Sequence, residues 1–402
     1  MSSRSTFSSL LNIRAGEGLP ILLLTVFSFL IGAGGAFFYT AATTLFLESY
    51  STTMLPVAYI GSGIAGWLLW FVSSYFGKKS SQSNQMLGSL IFLIGSVIVC
   101  AFASYVFDMR IVSFVLFIWI RIVTYISVVV FWNLASSMFD VRQGKRLFGL
   151  IGAGEVISDM IGFFSIPLLV NYIRTQDLLI IAAIALVLCL VLFSIIRKRY
   201  ATIHTDAIVS SSGNSTEPAS SVTIARFFSH RYSTLLFLLA FLPMIGIYFM
   251  DYIFFDQAKI LYAEPRVLAS FLGIFFGFVA VAEFIVKTVL SGRLLDRYGL
   301  RIGLMLLPAI VALAVGSAAL TGLIFGIGSM FFAFVAFGKL MERVLRSGLN
   351  DPAFQILYQP LPAHERLGFQ SMVEGVPKAA GNLVGGGILL LFTLADFHNL
   401  IA

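Results

Sequence analysis

Eleven separate stretches of this chain are each long and apolar enough to cross a lipid bilayer, and nothing else in the sequence constrains its fold so strongly. A segment needs about 20 apolar residues to traverse the hydrocarbon core, where only helices and closed barrels satisfy their backbone hydrogen bonds. Runs of that kind fall at about 19–47, 55–77, 86–107, 111–139, 147–173, 177–197, 233–260, 266–290, 300–322, 324–348 and 367–395. With 59% hydrophobic and 11% charged residues, the 402-residue chain lacks the polar surface that a soluble protein of this size requires. The expectation is an all-α polytopic membrane protein whose first partner is the lipid bilayer.

The net charge of +7 does not point to nucleic acid, because Lys and Arg collect in the cytoplasmic loops of membrane proteins. With the N-terminus inside, the inner segments hold Arg4, Arg14, Lys78, Lys79, Arg142, Lys145, Arg146, Arg197, Lys198, Arg199, Arg226, Arg231, Arg293, Arg297, Arg301 and Arg366. The outer segments hold only Arg110, Arg174, Lys259 and Arg266, so a cytoplasmic N-terminus is expected. The first apolar run follows a polar start without a small-residue cleavage site and reads as a retained helix. Cys100 and Cys189 lie inside apolar runs and are expected to be packing residues.

Between spans six and seven, the Ser-rich stretch Tyr200 to Tyr232 has almost no apolar periodicity and reads as a flexible cytoplasmic linker. The division expected is an N-terminal six-helix bundle over 1–199, a linker over 200–232 and a C-terminal bundle over 233–402. The two halves share a pattern. Each has a helix with an intramembrane arginine (Arg121; Arg343), a basic loop, then a Gly-rich helix with an acidic residue (Glu155; Glu374). Parallel repeats of this sort build many secondary transporters. Two bundles of six would return the C-terminus to the cytoplasm, so a truncated chain or a missed twelfth segment is expected.

The stretch "SGRLLDRYGLRIG", Ser291 to Gly303, crowds four charges into the loop between spans eight and nine. Glycines let so short a loop turn tightly, and Asp296 can accept charge-assisted bonds from nearby arginines, which makes a releasable latch. Gly292, Asp296, Arg297, Gly299 and Arg301 match the loop signature of the major facilitator superfamily, which the chain resembles. The first-half loop keeps Gly77 and two lysines but has no Asp. The block Met341 to Gly375, through Glu342, Leu349, Asp351, Pro352, Tyr358, Pro360, Leu361 and Glu374, resembles the nucleotide-transporter (ATP:ADP antiporter) branch of that superfamily. That branch includes bacterial relatives with fused HEAT repeats. The resemblance implies a major facilitator-type fold of two six-helix bundles, an anionic substrate such as a nucleotide, and a bacterial inner membrane. It also implies a fused or associated soluble domain as a partner.

Ionisable residues inside spanning helices cost several kcal/mol unless paired or wetted, so each is a functional candidate. Span four carries Arg121, and span ten carries Lys339, Glu342, Arg343 and Arg346. Arg121, Lys339 and Arg343 outnumber nearby acids and are expected to line an anion site, phosphate being the natural match for a guanidinium fork. Span eight carries Glu283 and Lys287 and span eleven Glu374 and Lys378, each expected as a self-neutralising i,i+4 pair or as substrate contacts. Glu155 and Asp159 share one face of span five, and like charges so close favour a shared proton, which makes them candidates for proton coupling. Arg346 and Glu374 lie near the cytoplasmic end, where a latch belongs, and Asp351 is grouped with them.

The family resemblance assigns substrate handling to Glu155, Glu283 and either Lys339 or Arg343. That branch has charged residues in its first helix where this chain has "GGAFFYTAATTLFLES". Tyr39, Thr40 and Thr44 can hydrogen-bond a substrate there, and the Phe37–Tyr39 aromatics pack, face lipid or stack on a base. No Walker A loop is present, so ATP hydrolysis is not expected as the energy source. The four histidines lack metal-ligand spacing and no cofactor is expected. "GAGE", Gly152 to Glu155, has no strand before it and reads as a helix-packing glycine pair. The reading is a secondary transporter, not an enzyme, working by alternating access. The alternatives are a transporter-like scaffold or sensor, and a facilitator for a neutral or zwitterionic solute.

Overall fold

A computed structural model describes residues 17–76, 82–139, 141–211, 231–326, 328–357 and 363–394. The first half comprises α1 (Gly18–Ser49), α2 (Leu55–Phe76), α3 (Gln82–Val106), α4 (Met109–Met138), α5 (Val141–Leu169) and α6 (Leu178–Ser211). The second comprises α7 (Arg231–Leu261), α8 (Pro265–Ile285), α9 (Ser291–Phe325), α10 (Ser329–Leu345) and α11 (Ala363–Leu394). Ten helices among the described residues are long and apolar enough to span a membrane. The eleventh, α10, is short and carries Lys339, Glu342 and Arg343 within its 17 residues.

α6 continues to Ser211, well into the expected linker. A helix already nucleated in a membrane span extends cheaply into polar sequence, and no Gly or Pro interrupts residues 200–211. Residues 212–230 lie outside the described residues, and the last two linker positions, Arg231 and Tyr232, already belong to α7.

Two helices widen locally. Val286–Leu290 after α8 and Arg346–Asn350 after α10 are π turns, the second followed by a short helix over Asp351–Leu357. Such turns are rare and cluster at functional sites. The two touch: a Cβ on Gly348 would lie 2.6 Å from Val286 Cγ1.

α1 is the centre of its half, wrapped by α4, α5 and α6. The halves meet along two seams, α5 against α8 and α2 against α11. Glycines bring both seams close. A Cβ on Gly273 would lie 2.8 Å from the Phe163 carbonyl oxygen, and one on Gly386 would lie 2.9 Å from that of Pro56. Without a hydrophobic drive between helices in lipid, close backbone approach of this kind supplies the packing attraction.

Polar contacts also join the halves at the face that carries the α1–α2 and α7–α8 connections. There the Thr52 hydroxyl donates to Asp256 Oδ1, and Lys259 Nζ donates to the Tyr50 carbonyl. α1 is buried all round from Thr40 to Leu47 but accessible at Leu19, Leu22 and Val26 near its other end. The molecule is therefore tied shut at the α1–α2 face.

The charged loop of the sequence is helical up to Tyr298 and breaks at Gly299, whose φ of 73° lies in the left-handed region open to glycine. Gly292, expected to help the chain turn, sits within the helix instead. Arg297 and Arg301 are exposed, with the Arg297 guanidinium 5.5 Å over the Tyr298 ring. The side chains of Asp296 and Glu374 lie outside the described residues. Cys100 and Cys189 are both buried and unbridged, as expected of packing residues.

Candidate functional site

Four charged side chains of the second half, Asp251 of α7, Lys339 and Glu342 of α10 and Arg346 of the π turn that follows, form a chain of ion pairs. Lys339 lies against Asp251 of α7, and its Nζ also donates to Glu342 Oε2 at 2.7 Å. Glu342 Oε1 is 3.2 Å from Arg346 Nη1. Lys339 is 2% exposed and Glu342 0%. Burying either charge alone costs several kcal/mol, and alternating signs offset that cost. The sequence expectation that Lys339 is an unbalanced cation is corrected here, because its counter-charge comes from a helix distant along the chain.

Arg343, one turn on from Lys339, is treated differently. No ion pair closes on it among the described residues, and its buried Nε makes no hydrogen bond. Its guanidinium carbon instead lies 5.7 Å from the Tyr39 ring centre on α1 and 5.4 Å from that of Phe276 on α8. Those rings meet edge-on at 5.2 Å, with Phe163 of α5 behind Phe276 at 5.6 Å. Cation–π contact attracts the charge without neutralising it. Tyr39 thus reaches the candidate site, while Phe37 and Phe38 are buried in packing. The Thr40 hydroxyl is spent on the Ala36 carbonyl, and that of Thr44 is buried without a partner.

Arg121 of α4 occupies the opposite corner. A Cβ on Gly66 of α2 would be 3.6 Å from its Cγ and 3.9 Å from Cβ of Ala379 on α11. No ion pair joins it among the described residues, and its charge acts on Tyr248 of α7. Arg121 from the first half and Arg343 from the second therefore close no ion pair among the described residues, and each lies near side chains of the other half.

A third group lies at the α5/α8 seam. Glu155 and Asp159 feel the charges of Glu283 and Lys287 across it, and Asp159 also feels Arg343. The Glu155 side chain is accessible although protein surrounds it, and its backbone N–H donates to Ser28 Oγ at 3.0 Å. Glu283 and Lys287 do not form the expected i,i+4 ion pair. The π turn from Val286 opens the helix to about one extra residue per turn and moves Lys287 off the Glu283 row. Asp351 is exposed with polar contacts, and Lys378 lines a small cavity with Asn350, Asp351 and Phe354, so neither adjoins Arg343.

Sequence reasoning missed Tyr59, Tyr248, Phe276 and Asn382. Their residue types are ordinary in apolar helices, and only the buried, unpaired state of the Tyr59 hydroxyl and Asn382 amide marks them out.

Comparisons with known proteins agree with this architecture. The family profile described as TLC ATP/ADP transporter matches residues 96–400. No match is found among curated proteins. The solved structure of the nucleoside transporter NupG is similar at 14% identity, with a TM-score of 0.61 over 92% of this chain and 91% of that one. A bacterial homologue of the iron transporter ferroportin, in its inward-facing state, is 14% identical with a TM-score of 0.62 over 96% and 95%. The xylose transporter XylE from E. coli is 13% identical with a TM-score of 0.55 over 94% and 96%. At such identities the likeness establishes the fold, which is of the major facilitator type.

Proposed function

The chain belongs to the TLC ATP/ADP transporter family, and on that premise we propose that it carries a nucleotide-type anion across the bilayer by alternating access. It is a membrane transporter and not an enzyme. The observation that carries the substrate class is Arg343, a guanidinium within the helix bundle that lies against ring faces and closes no ion pair among the described residues. Such a charge is costly in a membrane unless something negative visits it, and phosphoryl oxygens match its fork. Arg121 adds a second cation from the other half. The Asp251–Lys339–Glu342–Arg346 chain supports this reading by holding α10 against α7, which fixes the turn that presents Arg343.

In this scheme the bundles 1–199 and 233–402 rock about the site. The basic inner segments argue for a cytoplasmic N-terminus, and the family resemblance for a bacterial inner membrane. The face tied by Thr52–Asp256 and Lys259–Tyr50 is then the outer one, and the conformation faces inward. Glu155 and Asp159 serve coupling, because parting the α5/α8 seam moves Glu283 and Lys287 and changes the field on the pair. The Gly299 loop with Asp296, Arg297 and Arg301 works as the inner latch, together with Asp351 and Glu374.

The test is exchange of labelled ADP against ATP in proteoliposomes. Arg343→Ala is expected to lower exchange about a hundredfold, the loss that removing a charge-assisted contact of ~3 kcal/mol implies. Unchanged exchange in that variant would overturn the assignment.

A further inference from the structure

We infer that Asn382 reads the uncharged, hydrogen-bonding edge of the substrate, and that it is uncovered when the α2/α11 seam parts. This rests on the nucleotide reading above. Asn382 is 1% exposed, and among the described residues neither its amide nitrogen nor its amide oxygen has a partner. It sits in the seam itself, where a Cβ on Gly63 of α2 would come within 3.0 Å of Asn382 Cβ. One turn earlier on α11, Ala379 faces Gly66 of α2, where a Cβ would also lie 3.6 Å from Arg121 Cγ. One turn earlier on α2, the Tyr59 hydroxyl is also buried and unpaired, its ring 4.8 Å from that of Tyr248. An amide, a phenol, two rings and a guanidinium are thus gathered at one inter-half corner.

A buried amide with both ends unsatisfied weakens the closed seam, whereas an apolar side chain of the same size would not. The deficit is removed when the halves separate and something with matching groups enters. Phosphate fits poorly, since the amide oxygen would face its negative oxygens. An edge that presents an acceptor beside a donor fits, and asparagine pairs with a nucleobase in that way. Arg121 lies close enough along the same seam for the phosphoryl end of the same molecule to be held by arginine.

The experiment compares purified wild type with Asn382→Leu by thermal shift and proteoliposome exchange, using ATP, GTP, CTP, UTP and pyrophosphate. The variant is expected to melt no lower than wild type without ligand and to keep its pyrophosphate shift. Its discrimination among the four nucleotides is expected to fall at least about tenfold. Wild-type base preference retained in Asn382→Leu overturns the inference while the nucleotide reading stands. Loss of the pyrophosphate shift together with a lower melting temperature overturns it too, by showing a packing role. A wild type that no nucleotide stabilises removes the nucleotide reading and this inference with it.

Discussion

Lys339 and Arg343 lie one helical turn apart on α10, yet their surroundings give them different tasks. Lys339 is enclosed by Asp251 and Glu342, so its loss leaves buried carboxylates without a counter-charge. Lys339→Met is expected to lower stability by roughly 3–5 kcal/mol, seen as a lower melting temperature in detergent. Adding Asp251→Asn should restore much of that loss, and a double variant no more stable than Lys339→Met would contradict the pairing. Tyr39→Leu should keep the packing but weaken substrate binding about two- to thirtyfold, because a cation–π contact is worth ~0.5–2 kcal/mol; an apparent affinity measured in exchange assays checks this. The sequence made both cations conspicuous, since any charge in an apolar run stands out. It could not say which was neutralised, because Asp251 comes from another helix and only the fold brings it near.

At the level of helices, spans were legible because crossing a bilayer demands long apolar runs. Departures arose where local geometry changes the period. The π turn at Val286–Leu290 separates Glu283 from Lys287, and no residue type announces such a turn. Glycine roles were partly readable. In "GAGE", a Cβ on Gly154 would fall on the Thr25 carbonyl oxygen of α1, whereas one on Gly152 would meet nothing within 4 Å. Gly154→Ala is therefore expected to push α1 from α5 and destabilise the protein by roughly 1–3 kcal/mol. Gly152→Ala should be neutral or slightly stabilising, since alanine favours helix over glycine. Equal melting temperatures for the two variants would remove glycine packing as the basis of the α1/α5 contact.

Across the whole molecule, the two-bundle plan followed from a repeated charge pattern and a polar stretch between spans six and seven. The state of the seams did not, because conformation depends on contacts between halves that share little sequence. Thr52 and Asp256 tie one face, and the two native cysteines are buried, so new thiols can be placed there with little interference. Thr52→Cys with Asp256→Cys, once oxidised, is expected to stop exchange while leaving the ligand-induced thermal shift, and reductant should restore transport. Continued exchange after verified cross-linking would mean that this face need not open.

The aromatic seat of Arg343 bears on speed. An arginine locked to a carboxylate must surrender a strong, directional partner before it greets a visitor, and recapturing that partner expels the visitor only slowly. Ring faces hold a guanidinium loosely and from many angles. The incoming anion therefore meets a half-buried cation that holds no carboxylate partner among the described residues, an arrangement suited to rapid turnover more than to tight capture.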